Sequence, residues 1–420
     1  MGSTLPLNRP QTVSAPWLQQ PGLVRIFSAL GNDPQTVRVN GGAVRDTLLG
    51  RPIGDVDLST TYLPGDVVER VQRAGLKAVP TGIEHGTVTV VADSLPYQVT
   101  TLREDVETDG RHAVVRFGTD WSRDALRRDF TMNALYLGPD GSLHDPLDGY
   151  SDCLGQYVRF IGDADQRIRE DYLRILRFFR FQASHGTDVF DPEALAAIGR
   201  QVDGLASISR ERIGIELRKM LLADGAIRSL QLMQQTQVLE AVLPGVPVNM
   251  EHLIRFRALI DQFKCGAPWT AHLAALISHR AHGAWNLLGP LKELLRLSNA
   301  EKASLDGLLK PLDRVPVTDP EGVYTLAYRL EPERAGARLL LEWAGSSQAL
   351  DDETWLNAYN LLLATTPQPL PISGSDLMNA GVPAGASLGQ ALKAAEACWI
   401  ASGFQADREG LLRQAVTKAG

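Results

Sequence analysis

Asp55 and Asp57 stand one residue apart within "NGGAVRDTLLGRPIGDVDLS", residues 40–59, in a short run of β-forming residues. Side chains two apart on a strand point the same way, so the two carboxylates lie side by side. Two like charges that close are costly unless a cation sits between them. Carboxylate oxygens favour Mg²⁺, and phosphoryl transfer by two metal ions uses a spacing of about 3.5–4 Å. The pair therefore predicts two Mg²⁺ ions, one activating an attacking hydroxyl and the other holding a triphosphate. Upstream, Gly41 and Gly42 form a turn that leads into a helix. Glycine lets bare backbone N–H groups approach phosphate, and a helix start favours an anion. Arg45 adds a charge-assisted contact. Two aspartates alone would read as a solvated strand end and two glycines as a plain turn; their combination points to chemistry.

A second group of candidates lies in "QRIREDYLRILRFFRF", residues 166–181, whose Arg167, Arg169, Arg174, Arg177 and Arg180 make a local basic stripe in a chain of net charge −7. An acidic balance does not exclude nucleic acid, because a local stripe is what matters. The apolar spacing predicts one helix over 167–184, with Leu173, Leu176, Phe179 and Phe181 turned to the core and Arg177 and Arg180 available to phosphates. Glu170, Asp171 and Arg174 then share one helical turn. Between the two groups, Arg127, Arg128 and Asp129 offer donors and an acceptor.

The elements that must hold these residues change character along the chain. Runs at 36–40, 56–59, 87–91, 97–102 and 133–138 read as strands, with helices at "AVRDTLLG" and "LPGDVVERVQRAG" between them. From Gln166 to the end the apolar spacing is helical, with further helices expected at 193–203, 209–223, 225–237, 251–263, 268–282, 290–297, 335–344, 351–364 and 387–401. The fold class is therefore α+β: an N-terminal head with a small mixed sheet, then helices throughout. "TTPQPLPISG", residues 365–374, marks a joint before the last helical piece. Residues 1–23 read as a flexible arm.

The motifs occur in an order that resembles the class II tRNA nucleotidyltransferases, the CCA-adding enzymes, and the bacterial poly(A) polymerases that share their fold. "GGAVRDTLLGRPIGDVDLS" is similar to their first motif, "RRDFTMNAL" (127–135) to the second, "DPLDG" (145–149) to the third, "EDYLRILRFFRF" (170–181) to the fourth and "SRERIGIEL" (209–217) to the fifth. The resemblance covers about residues 36–220, and "PISGSDLMNAGVPAGASLGQAL" (371–392) also looks like the bacterial tail. It implies a catalytic head at 24–150, a neck at 151–223, a helical body at 224–300 and a tRNA-binding tail at 301–420. It implies addition of C, C and A to tRNA from CTP and ATP. Asp55 and Asp57 would hold the metals, and Gly41, Gly42, Arg45, Arg128 and Asp129 would meet the triphosphate and ribose. Glu170, Asp171 and Arg174 would select the base, and Glu211, Arg212 and Glu216 would brace that helix.

Base selection also follows from the groups themselves. A carboxylate only accepts hydrogen bonds and a guanidinium only donates. Cytosine and adenine both offer an exocyclic amine beside an acceptor nitrogen, whereas uracil and guanine place a carbonyl where the amine would be. An Asp171–Arg174 pair should accept the first two and reject the others, because a buried unpaired acceptor costs roughly 1–3 kcal/mol.

Two positions depart from the resembling pattern. Asn40 replaces an aliphatic strand residue, and Gln98 replaces a glutamate that would stand beside the metal pair. The polar segment 103–117 reads as a flexible loop near the site, of the kind the resembling family uses in switching from C to A. Two other readings stay open from the residues alone: a poly(A) polymerase or A-adding enzyme of the same fold, and a degenerate module retained for RNA binding.

At 420 residues the chain exceeds one ordinary core, and 44% hydrophobic with 22% charged residues is the balance of a soluble protein. It has no apolar run near the ~20 residues of a membrane helix. Cys153, Cys265 and Cys398 are too far apart for a zinc motif and odd in number, which favours a reducing compartment, the cytoplasm. His279 and His282 are the one histidine pair at helical spacing, without nearby acidic ligands.

Overall fold

The structure, a computed structural model, describes residues 9–108, 113–277, 284–310 and 316–419. The chain is organised as two compact units, Met1–Gly245 with Leu294–Arg296, and Val246–Glu293 with Leu297–Gly420.

The first unit contains every described strand. β1 (Val37–Asn40), β2 (Asp57–Thr60), β3 (Lys77–Gly82), β4 (Thr87–Ala92) and β5 (Leu95–Thr101) are followed by β6 (Arg103–Thr108), β7 (Ala113–Phe117), β8 (Tyr136–Leu137) and β9 (Leu143–His144). Seven of them form one mixed sheet in the order β3-β4-β5-β2-β1-β8-β9. β2 and β5 are parallel, and the other neighbours are antiparallel. One face is apolar, with Val37, Val39, Leu58, Val88, Val90 and Val99 fully buried. β3, absent from the expected strands, carries Pro80 at the sheet edge beside a register shift between Val79 and Gly82. A proline is tolerated there because an edge strand has a neighbour on one side only, and the N–H groups on its other side have no ladder bond to lose.

Three sequence expectations need correction here. Residues 9–23 are not a loose arm: Leu18 and Leu23 are buried, and Leu23 opens the buried face of helix Pro21–Ala29 with Ile26 and Phe27. The segment 103–117 is not simply a loop, since β6 and β7 pair as a separate two-stranded ribbon from Arg103↔Phe117 onward. The single helix expected over 167–184 is two helices, Ala164–Glu170 and Leu173–His185. They break at Asp171, which is extended at φ −157° and ψ 104°. The Asp171 side chain accepts from the Leu173 N–H at 3.1 Å, capping the second helix, a role for which a short polar side chain outcompetes helix continuation.

Head and neck are one body. Phe130, within the second motif, packs within 5.0 Å of Phe160, 6.3 Å of Phe178 and 5.2 Å of Phe181 between ring centroids. The helix Ala226–Gln235 also belongs to this unit: the Gly225 N–H donates to Ala183 O at 2.9 Å, and Arg228 reaches Gly186 O at 2.9 Å.

The second unit is helical among its described residues. A stack of Trp343 on Trp355, 5.8 Å apart, lies in one part of it. A separate cluster around Leu377, Ala391, Ala395, Trp399 and Leu411 follows the proline-rich joint. No helix among the described residues is long and apolar enough to cross a membrane. His279 and His282 lie outside the described residues.

Candidate active site

Asp57 is the first residue of β2, and Asp55 lies two before it in an extended lead-in. Val56 between them is buried while both aspartates are exposed, so the carboxylates share one face as the alternation demands. Among the described residues neither carboxylate has a hydrogen-bond or ion-pair partner in the protein, and both line a cleft of about 660 Å³. The cleft walls desolvate Asp57, and with the adjacent Asp55 they push its carboxyl above the ordinary value, against the pull of Arg128. Three other aspartates of the cleft are each paired: Asp46 with Arg45, Asp129 with Arg177 and Asp171 with Arg212. An unpaired couple of like charges in such company fits a cation between them. The described residues hold no group of three or more His, Cys, Asp or Glu poised for a metal.

The glycine turn borders the same cleft. Gly41 has φ +66° and ψ −121°, a conformation only glycine adopts without strain. Its N–H donates to Leu135 O at 3.1 Å, and helix Gly42–Leu48 starts at the next residue. Arg45 is buried at the cleft floor, where Nη1 donates to Asn133 Oδ1 at 2.7 Å and Nε to Asp46 Oδ1 at 2.9 Å. Asp46 in turn faces His185 Nε2 at 3.2 Å, which ties this helix to the C-terminal end of Leu173–His185. Asp46, Asn133 and His185 were missed from sequence; the Arg-Asp doublet was the one available signal.

The second motif splits its two arginines. Arg127 turns away to Asp124 at 2.7 Å, whereas Arg128 lines the cleft. Arg128 is held from several sides: Asp124 Oδ2 at 3.0 Å, Tyr136 Oη at 3.1 Å, Asn40 Oδ1 at 2.8 Å and Ser59 Oγ at 3.3 Å. Burial would raise the Asp124 carboxyl, but Arg128 and Arg127 outweigh it and draw it down to about 2. Asp129 accepts from Arg177 Nη2 at 2.5 Å and from Asn133 Nδ2 at 3.1 Å. Burial opposes this too, and Arg177 with Asn133 still holds the carboxyl below its usual range.

The opposite wall comes from the neck. Asp171, Arg174, Arg177, Arg180 and Arg212 line the cleft, joined by Lys219. Arg212 Nη2 binds Asp171 Oδ2 at 2.6 Å, and Glu216 Oε2 accepts from Arg180 Nε at 2.5 Å, so both brace this wall. Phe181 carries the guanidinium groups of Arg180, Arg45 and Arg177 at 4.1, 5.3 and 5.5 Å from its ring centre. Glu170 is not on this cleft. It binds Arg174 Nη1 at 2.6 Å and also Arg167, and it lines a separate cavity with Arg123, Arg127 and Glu104. Glu211 pairs with Arg296 at 3.1 Å.

A model of the "Poly A polymerase head domain" matches residues 37–159, and one described as "Probable RNA and SrmB- binding site of polymerase A" matches 189–249. The mitochondrial CCA tRNA nucleotidyltransferase 1 of Danio rerio is 36% identical over 405 residues, 93% of this chain and 89% of that relative. The human protein of the same name is 35% identical with the same coverage. Among solved structures, the Bacillus stearothermophilus CCA-adding enzyme in complex with CTP matches with a TM-score of 0.72 at 28% identity, covering 95% of this chain and 98% of that one. The Thermotoga maritima CCA-adding enzyme complexed with tRNA shares the fold, with a TM-score of 0.61 at 22% identity over 96% of each chain.

Proposed function

The chain belongs to the CCA tRNA nucleotidyltransferases, and on that premise we propose that it adds C, C and A to the 3′ end of tRNA, using CTP and ATP and releasing pyrophosphate. Membership implies use of a divalent metal. Our reading is two Mg²⁺ ions held by Asp55 and Asp57; when bound they would lower the pKa of the attacking hydroxyl and neutralise the triphosphate. What supports it is the unpaired state of these two carboxylates in a cleft where Asp46, Asp129 and Asp171 are each paired.

The remaining roles divide along the two walls. Arg45, fixed by Asp46 and Asn133, and the backbone N–H at Gly42 hold the triphosphate, while Gly41, whose own N–H goes to Leu135 O and not, as expected from the sequence, to phosphate, shapes the turn; Arg128 supplies a fixed positive charge beside Asp57, and Asp129 reads the ribose. Asp171 and Arg174 read the base edge. Glu170 acts through Arg174, which it binds, and Arg212 acts through Asp171. Arg177 and Arg180 meet phosphates of the nucleotide or the RNA end. The head at 24–150 and neck at 151–223 carry the chemistry, and the body at 224–300 and tail at 301–420 grip tRNA by backbone and shape. The three unpaired cysteines fit the cytoplasm.

Transcripts of tRNA lacking CCA, incubated with CTP, with ATP and with both, test the reading. Two additions with CTP alone and three with both are expected. Long A tails from ATP alone would indicate a poly(A) polymerase, and tRNA binding without incorporation would indicate a non-catalytic module.

A further inference from the structure

Asn40 ends β1 directly opposite Asp57, the first residue of β2. It is 7% exposed, and its neighbour Ser59 is 1% exposed. The amide makes three contacts: Nδ2 donates to Asp57 O at 3.3 Å and to Ser59 Oγ at 2.9 Å, while Oδ1 accepts from Arg128 Nη1 at 2.8 Å. The orientation of this amide is dictated by its partners. A carbonyl oxygen can only accept and a guanidinium can only donate, so the NH₂ must face Asp57 O and the oxygen must face Arg128. An aliphatic side chain could do neither, and a carboxylate would satisfy Arg128 but face the Asp57 carbonyl with a second acceptor.

We propose that Asn40 is a positioning residue, which sets the place of the Arg128 guanidinium relative to the backbone that carries Asp57. One side chain thereby fixes both the positive charge and the strand end of the carboxylate pair. Asp124 and Tyr136 hold Arg128 from its far side. Asn40 and Ser59 hold it from the side of β2. Removing the amide takes away the shorter of these two β2-side contacts, leaves Ser59 at 3.3 Å, and loosens the guanidinium on that side. A charge that must not reorganise during reaction loses effect when it becomes mobile. The consequence falls on the chemical step and acts on C and A alike, since nothing in the contact touches the base-reading pair.

This inference rests on the nucleotidyl-transfer reading, and wild-type incorporation tests that reading separately. The test is a double-mutant cycle of Asn40→Leu and Arg128→Lys, with kcat and KM measured for CTP and for ATP on tRNA ends at the matching stage. Asn40→Leu is expected to lower kcat about tenfold for both nucleotides with KM within about twofold, ~1.4 kcal/mol of transition-state stabilisation. Because Asn40 acts through Arg128, the double variant should be no slower than Arg128→Lys alone. Asn40→Asp, which keeps the acceptor for Arg128, should recover part of the loss. If the two losses multiply, or if Asn40→Leu turns over normally, the positioning role is overturned. Should Asn40→Leu fail to fold, Asn40→Ser takes its place in the same cycle, with the same outcomes deciding.

Discussion

Gln98 of β5 stands beside Asp57 of β2 in the parallel pairing of these strands, and its Oε1 accepts from Thr89 Oγ1 at 3.1 Å. Residues in register on neighbouring strands share a face, so a neutral amide occupies the place next to the carboxylate pair. A third carboxylate there would strengthen a site for a hard cation. Gln98→Glu should lower the Mg²⁺ concentration for half-maximal rate, by about tenfold or ~1.4 kcal/mol. Mn²⁺ binding to the nucleotide-free protein should tighten in parallel. Unchanged metal dependence would mean that this side chain does not reach the ions.

Asp55→Ala and Asp57→Ala should each abolish incorporation of CTP and ATP while leaving tRNA binding within a few-fold. Neither carboxylate has a partner to lose among the described residues, so the fold should tolerate both changes. Gel-shift titration beside incorporation assays separates the two effects, and normal turnover by either variant would remove the metal assignment.

How far the sequence could be read depended on the range of the interaction. The strand alternation at Asp55-Val56-Asp57 and the glycine turn are local, and both appear in the structure at the expected residues. The placement of Glu170 was not legible. Helical spacing put it beside Asp171, but the cap that Asp171 makes to Leu173 breaks the helix and leaves Glu170 on another cavity. Asp124 and Tyr136 escaped notice because their importance lies in a pairing across the fold with Arg128, which no spacing records. Asn40 was visible as a departure, but its purpose required knowing that Ser59 and Arg128 lie within its reach.

Gly41→Ala should cost about 1–3 kcal/mol, because a side chain must enter φ +66°, ψ −121°. An added Cβ would meet Arg128 Nη1 at 3.7 Å and Asn133 O at 3.8 Å, which are ordinary contacts. The penalty is therefore backbone strain and not collision. Melting temperature should fall, and the KM for both nucleotides should rise as the turn relaxes away from the cleft.

His272 in the second unit is buried against Phe256, and its Nδ1 has no hydrogen-bond partner among the described residues. Burial, with Arg257 adding to it, lowers its pKa from 6.5 to about 4. Between these values the unfolded chain binds a proton that the folded state does not, so stability rises with pH across the window. It is lost as pH falls from 6.5, by about 3 kcal/mol in full at pH 4 and below. His272→Leu should flatten this stretch of the melting curve against pH; an equally steep decline in the variant would assign the loss elsewhere.

Asp171 carries the test of base reading. Its Oδ1 caps Leu173 and its Oδ2 binds Arg212, which leaves acceptor capacity on both oxygens for a base amine. Asp171→Asn replaces one of those acceptors with a donor. The amide oxygen is expected to keep the Leu173 N–H, and the NH₂ then points where Arg212 was bound. Uracil O4 can accept from that NH₂ where it formerly met a negative charge, while Arg174 still seeks a ring acceptor that uracil N3–H does not offer. The variant should therefore lose CTP and ATP efficiency and gain some UTP incorporation without becoming a good UTP enzyme. Arg212→Ala is the control, since it loosens Asp171 and leaves its acceptors intact. That variant should slow CTP and ATP together and gain nothing with UTP. Ratios of kcat/KM for the four nucleotides report the difference, because pocket contacts set the gap in transition-state binding between competitors. If Asp171→Asn slows all four by one common factor, as bracing alone would, Asp171 supports the wall and does not read the base.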